Sequence, residues 1–291
     1  MTTPAACAHD ATHTETRAIS RIPFTSVASF KIWLTSQPDN TADTPYYIAL
    51  NIDDDEDVYP DLTTIFFYAS NKYVCLDLSG SAITGIVDHV FAGCKNLTGV
   101  TMPNSVARIG ERAFVGCTNL TSITIPDSVI SIGYGAFLGC ASLISVTIPN
   151  SVISIEAMVF RESGLTGIII PDSVTSIGRM TFWGCKSLSD VIIGKNITSI
   201  ERLTFYNCDS LTGVIIPSSV TSIERQAFLN CPKLTSVTFE GTIPSSGFSD
   251  NTPSFFGDLR GKFYAEDPTN GTPGTYTTTA PVGASSVWVK Q

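Results

Sequence analysis

A phenylalanine recurs at positions 91, 114, 137, 160, 182, 205 and 228, with spacings of 23, 23, 23, 22, 23 and 23 residues. A fixed period in the twenties constrains the chain severely. Each repeat can bury its apolar residues only against its neighbours, so the expected fold is a solenoid. Around each phenylalanine one phrase returns: Ile125-Pro126-Asp127-Ser128-Val129 leads to Ala136-Phe137-Leu138-Gly139-Cys140 and Leu143, then restarts at Ile148-Pro149-Asn150-Ser151-Val152. Leu120, Ile123 and Ile125 give a short strand whose apolar side chains point into the coil, and Pro126, which cannot donate to a ladder, marks its end. Val129 and Ile132 open the return side, and Ala136-Phe137-x-Gly139-Cys140 suits one helical turn closed by glycine. The fold class read from this is α/β: a curved solenoid of parallel short strands with 3-10 or helical turns, seven repeats of about 23 residues spanning 76–239.

Residues one period apart become vertical neighbours about 4.8 Å apart, so columns carry meaning. Six of the eight cysteines, Cys94, Cys117, Cys140, Cys185, Cys208 and Cys231, share one repeat position, where Ser163 fills the remaining repeat. A column of buried, reduced thiols packing as small hydrophobes is the favoured reading, with disulfide or metal binding the alternative. Metal binding lacks the paired C-x2-C spacing. A second column holds Ser105, Ser128, Ser151, Ser173 and Ser219, with Asn196 at the sixth place. A short hydroxyl or amide there can bond turn backbone that no strand satisfies.

Outside the repeats, residues 1–20 read as a polar, disordered tail in which His9 and His13 could hold a metal only weakly. Residues 21–75 read as an N-terminal cap: Thr25 or Ser26 caps a helix carrying Val27, Phe30, Trp33 and Leu34 on one face. Tyr46 to Ile52 reads as a strand, Pro60-Asp61 opens a helix to about Tyr68, and Tyr73 to Leu78 is the first solenoid strand. Asp53, Asp55 and Asp57 resemble the start of a calcium loop, but Val58 and Thr64 stand where that loop needs Gly and Glu. Residues 240–291 lose the period and read as a second cap, with a short helix in Pro253–Tyr264 and a hairpin of Thr275–Thr279 with Ser286–Lys290. A solenoid needs such caps over its exposed apolar ends and strand edges.

The consensus Ile-Pro-x-Ser-Val-x-Ser-Ile-Gly-x-x-Ala-Phe-x-Gly-Cys-x-x-Leu-Thr-Ser-Val-Thr resembles the treponeme-type leucine-rich repeat, a class also found in surface antigens of oral and gut anaerobes. The resemblance covers about 160 of the 291 residues. The tail, with Gly257-Asp258-Leu259-Arg260-Gly261-Lys262-Phe263-Tyr264, Gly274-Thr275-Tyr276-Thr277 and Trp288, is similar as well. It implies a bacterial surface or periplasmic protein engaged in adhesion and protein binding. Residues Met1 to Ser20 contain no basic start followed by an apolar core, and Ala5-Ala6-Cys7 only faintly resembles the end of a lipoprotein leader. A cytoplasmic protein and an exported one with a leader encoded upstream are the two readings.

Hydrophobic residues make up 43% and charged residues 15%, enough to bury a large core, and the net charge of −9 argues against nucleic acid or an anionic membrane as partner. No apolar run approaches the length of a membrane span. Catalysis needs converging acid, base or nucleophilic groups. The only histidine outside the tail is His89, beside Asp88, in a column otherwise filled by Arg112, Gly135, Met158, Met180, Leu203 and Gln226. An exposed, variable position is expected there rather than a catalyst, and neither an enzyme activity nor a cofactor is expected.

The strand face says more. With Leu120, Ile123 and Ile125 inward, period two turns Ser122 and Thr124 outward, like Gly99/Thr101, Ser145/Thr147 and Ser236/Thr238 in other repeats. Three middle repeats instead present Gly167/Ile169, Asp190/Ile192 and Gly213/Ile215. Either isoleucine merely suits a strand or a neighbouring segment covers the column, or these residues form a contact surface. Trp183 and Tyr206, and separately Tyr134, also break the repeat pattern, the first two as a second candidate patch on another face. The favoured function is a non-catalytic, protein-binding solenoid whose partner is a protein, either a host extracellular protein or a second copy. The alternative is a carrier for a small apolar ligand in a pocket lined by Phe66, Phe67 or Tyr68.

Overall fold

Successive coils stack so that the phenylalanines lie face to face. Ring centroids from Phe91 through Phe228 are 5.0–5.8 Å apart with interplanar angles of 7–16°. The computed structural model describes residues 22–53, 62, 64–66, 69–249 and 254–291. The expected tail, most of the Asp53–Asp57 run, and Phe67 and Tyr68 lie outside these residues.

Each coil has two straight sides. The first carries the expected strand: Val74–Asp77, Leu97–Thr101, Ser122–Thr124, Gly167–Ile169, Asp190–Ile192, Gly213–Ile216 and Ser236–Phe239. Val74–Asp77, Leu97–Thr101 and Ser122–Thr124 pair in parallel in turn, with Val100 opposite Ile123. Gly167–Ile169 pairs with Asp190–Ile192, Ile168 opposite Val191, and Gly213–Ile216 with Ser236–Phe239. The second side carries two-residue strands that the sequence reading did not anticipate. Gly85–Ile86, Arg108–Ile109, Ser131–Ile132, Ser154–Ile155 and Ser176–Ile177 form one parallel sheet, and Ser199–Ile200 with Ser222–Ile223 form another. Two residues are too few for alternation to show, so the Ser-Ile phrase hid this ladder.

The turn between the sides is tied into the stack by an alternation of donors. The amides of Gly135, Phe137 and Gly139 donate to Ala157, Val159 and Arg161 of the next coil, while those of Ala136, Leu138 and Cys140 close the turn onto Gly133, Gly135 and Phe137. This geometry places two residues per repeat at positive φ. One column, His89, Arg112, Gly135, Met158, Met180, Leu203 and Gln226, sits at φ 49 to 62°. Left-handed backbone costs a non-glycine residue of order 1 kcal/mol, and the inter-coil hydrogen bonds hold it there. The second column is mostly glycine, with Gly139 at φ 72°. The expected helical turn is therefore a chain of such turns rather than an α-helix.

Both polar columns act through carbonyls of the preceding coil. The Cys117 and Cys140 thiols donate to the Phe91 and Phe114 carbonyls at 3.0 and 3.1 Å, and Cys185, Cys208 and Cys231 repeat the contact. The six column cysteines are free and buried. Ser105, Ser128, Ser151 and Ser219 donate to Ile83, Val106, Val129 and Ile197 at 2.6–2.7 Å, and the Asn196 amide reaches the Asp172 carbonyl at 2.7 Å. Ser173 is the exception, with its buried hydroxyl unbonded.

The ends extend the same architecture. Ile22–Phe24 pairs in parallel with Tyr46–Leu50, which pairs with Val74–Asp77, so the N-terminal region adds two strands to the solenoid sheet. Pro23 lies in the edge strand, where its missing donor faces no ladder. Between those two strands, the helix Val27–Ser36 is capped by the Ser26 hydroxyl and buries Val27, Phe30 and Leu34. At the other end, Gly274–Thr277 closes antiparallel onto Ser236–Phe239, Val289–Lys290 follows it, and a short helix spans Leu259–Phe263. Phe255 adds an eighth rung, stacked 4.6 Å from Phe228, in a degenerate Phe-Phe-Gly copy of the repeat. Trp288 is fully buried, its indole donating to the Phe256 carbonyl at 3.0 Å.

Burial pushes the Cys94 and Cys140 thiols up to about 12 and Cys185 to about 11, the last opposed by its Ser163 hydrogen bond. An unfolded thiol ionises near about 8.5. Above that pH the unfolded chain carries thiolates that the folded chain does not, so the thiol contribution is complete below about pH 8.5 and is lost as pH rises toward 12. Urea midpoints should be level from about pH 6.5 to 8 and fall steadily from about 9 upward, with a shallower fall in Cys140→Ala. A midpoint independent of pH in the alkaline range contradicts this.

Candidate functional site

The three outward isoleucines stand on the first side of adjacent coils. Ile169 is opposite Ile192, with Gly167 opposite Asp190, and Ile215 is opposite Thr238 with Gly213 opposite Ser236. Their exposures of 62, 60 and 54% show that no described segment covers the column. Fold requirements do not explain the glycines beside it. A Cβ at Gly167 or Gly213 would meet its nearest neighbour at 3.7 or 3.6 Å, an ordinary contact, and neither φ is left-handed. Glycine here leaves the sheet surface bare next to an isoleucine.

Beside Ile169 and Ile192 lies an open groove of about 700 Å³, reaching Val146, Thr147, Asn150, Asp172 and Asp190. It coincides with a gap in the first ladder. Residues 145–148 form no strand, and among the described residues no backbone hydrogen bond joins Val146 or Ile148 to either neighbouring coil. The second ladder continues past this point through Ser131–Ile132, Ser154–Ile155 and Ser176–Ile177. The gap adjoins the 22-residue repeat. Where other repeats have Cys-x-x-Leu, this one has Ser163-Gly164-Leu165, one residue shorter. The Gly164 amide donates to the Cys140 carbonyl, and a Cβ on Gly164 would sit 2.2 Å from the Ala141 carbonyl oxygen, so only glycine fits the shortened path. The Phe160–Phe182 rung is the widest of the stacked pairs, at 5.8 Å.

Trp183 and Tyr206 occupy the turn rather than the strand face, and the structure does not bring them to the isoleucines. The Arg161 guanidinium lies 3.9 Å over the Trp183 ring, Trp183 meets Tyr206 edge-on at 6.0 Å, and Asn230 donates to the Tyr206 hydroxyl at 2.8 Å. Tyr134 is similarly engaged, under Arg112 at 5.0 Å and donating to the Met158 sulfur at 3.0 Å. These aromatics are half-buried and have partners within the fold. His89 is exposed and left-handed at φ 62°, while the Asp88 carboxylate accepts the Glu111 amide of the next coil at 2.8 Å. Phe66, named for the alternative ligand pocket, is buried between Phe30 and Phe91, at 6.2 and 5.9 Å.

Sequence reading missed a further exposed pair, Ile130 and Ile153, at 49 and 52% on the second ladder side. Their column holds Ala107, Thr175, Thr198 and Thr221 elsewhere, so the column comparison that found Ile169 could have found them too. Among the described residues no helix is long and apolar enough to cross a membrane.

This architecture of short parallel strands, turns and a buried apolar ladder defines a leucine-rich-repeat solenoid. The sequence profile described as BspA-type leucine-rich repeat region matches residues 84–168 and 153–253, in six copies, and the chain belongs to that family. A leucine-rich repeat protein from Bacteroides ovatus shares 32% identity over 58% of this chain and 43% of its own length, with a TM-score of 0.54. The T. pallidum leucine-rich repeat protein shares 29% over 56% of this chain and 78% of its own, with a TM-score of 0.51. The match thus spans less than half of the Bacteroides protein, and the likeness to both structures supports the wider family rather than a treponeme type in particular. No curated protein matches the chain.

The ladder gap should be visible in solution. In native-state hydrogen exchange, the Val146 and Ile148 amides should exchange at least about a hundredfold faster than that of Ile123 in a paired strand. Protection of Val146 and Ile148 equal to that of Ile123 contradicts an open ladder.

Proposed function

We propose that this protein is a non-catalytic binding module at the cell surface or in the periplasm, whose strand face engages a protein through Ile169, Ile192 and Ile215. One observation carries the reading: three adjacent coils replace a soluble threonine column by isoleucines that remain more than half exposed beside dispensable glycines. An exposed apolar strip rimmed by polar residues is the usual mark of a contact surface. Family membership supports the location and the binding role, and the partner is a host extracellular protein or a second copy of the chain. Trp183 and Tyr206 belong to the proposal only as a secondary patch, because Arg161 and Asn230 already engage them.

The test compares wild type with Ile192→Asp and with Ile130→Asp, another exposed isoleucine on the other ladder side. Affinity capture from a defined mixture of serum and extracellular-matrix proteins, alongside sedimentation velocity of the protein alone, should show a partner or a dimer that Ile192→Asp weakens at least tenfold and Ile130→Asp leaves intact. Retention of every captured partner and of any self-association by Ile192→Asp removes this face from consideration.

A further inference from the structure

We infer that the groove beside Ile169 and Ile192 takes an extended polypeptide segment in which apolar residues alternate with a lysine or arginine. This rests on the docking reading above and names the chemistry of the occupant. The pairing of Gly167 with Asp190 and of Ile169 with Ile192 makes a two-by-two patch, one half bare and acidic, the other apolar. Along a strand, residues two apart lie about 6.5 Å from one another on the same face. An extended ligand lying alongside has the same spacing, so an apolar residue set on Ile169 and Ile192 places its i+2 neighbour over Gly167, beside the Asp190 carboxylate. The missing Cβ at Gly167 leaves room for a long aliphatic stem, and the carboxylate receives its charged end.

Charge makes this choice of occupant specific. The groove is lined by two carboxylates, Asp172 and Asp190, and by no lysine or arginine. One oxygen of Asp172 accepts the Lys195 amide at 2.8 Å and one of Asp190 accepts the Ser189 hydroxyl. The second oxygen of each carboxylate remains for an incoming cation, and among the described residues neither group is in an ion pair. The net charge of −9 adds long-range attraction for a basic segment and repulsion for an acidic one. The unladdered coil at 145–148 forms one wall, so the groove can adjust to a seated chain without breaking strand hydrogen bonds.

The probe is a displayed library of random nonapeptides, selected on the immobilised full chain and counter-selected on Ile192→Asp. Selected peptides should alternate apolar residues with lysine or arginine. A synthetic peptide from the selection, read by fluorescence polarisation, should weaken about threefold with Asp190→Asn, as expected for a partly exposed ion pair. Its binding should also fall with added salt, and Gly167→Val should weaken it at least tenfold by filling the space for the stem. Peptides that need Ile192 but carry no basic excess, or that ignore Asp190→Asn and salt, overturn the charge assignment while leaving the isoleucine strip in place. A selection with no dependence on Ile192 overturns both.

Discussion

Stacking of consecutive turns in register is the constraint on which the rest of this structure depends. In the segment from Gly135 to Cys140, alternate amides reach the next coil while those between them close the turn. This arrangement fixes the vertical spacing and forces left-handed backbone at two positions per repeat. It also aligns one phenylalanine ring over the next at 5.0–5.8 Å from Phe91 to Phe228. Each phenylalanine carbonyl in the run Phe91–Phe114 then accepts both the amide of the cysteine three residues on and the thiol of the cysteine one coil later. In the shortened repeat the Ser163 hydroxyl meets the Cys185 sulfur at 3.4 Å, so serine in a cysteine's place keeps a buried partner.

Against such regularity, departures are informative. Dropping one residue at Ser163-Gly164-Leu165 brings the backbone against Ala141, and the first ladder is open in the coil just before it. The second ladder and the aromatic stack carry the solenoid across the gap. The groove, the exposed isoleucines and the irregular repeat therefore occupy one place in the molecule. An irregularity that costs ladder hydrogen bonds persists more readily where the resulting shape is used, as strained or unpaired segments often are at functional sites.

Much of this was legible in the sequence because a solenoid converts periodicity directly into contact. The phenylalanine ruler identified the buried stack, and column comparison identified Ile169, Ile192 and Ile215 as outward-facing. The Ser26 cap and the C-terminal hairpin followed from local chemistry. Other features were hidden for definable reasons. The Ser-Ile strands are too short to alternate, and Phe255 sits in a copy that keeps Pro244 but has Asp258 in place of its cysteine and falls 27 rather than 23 residues after Phe228. The strand at Ile22–Phe24 contains a proline that reads as a breaker unless its edge position is known. The engagement of Trp183 by Arg161 joins residues 22 apart, across the one repeat whose length departs from the period.

The central claim, that residues one period apart are energetic neighbours and those several periods apart are not, is tested most directly by double-mutant cycles on the aromatic column. Phe114→Leu combined with Phe137→Leu should show a coupling of about 0.5–1.5 kcal/mol in urea unfolding, the range for a stacked aromatic pair. Phe114→Leu combined with Phe182→Leu should be additive within about 0.5 kcal/mol. Coupling of equal size in both cycles, or none in the first, would contradict the stacked-coil account.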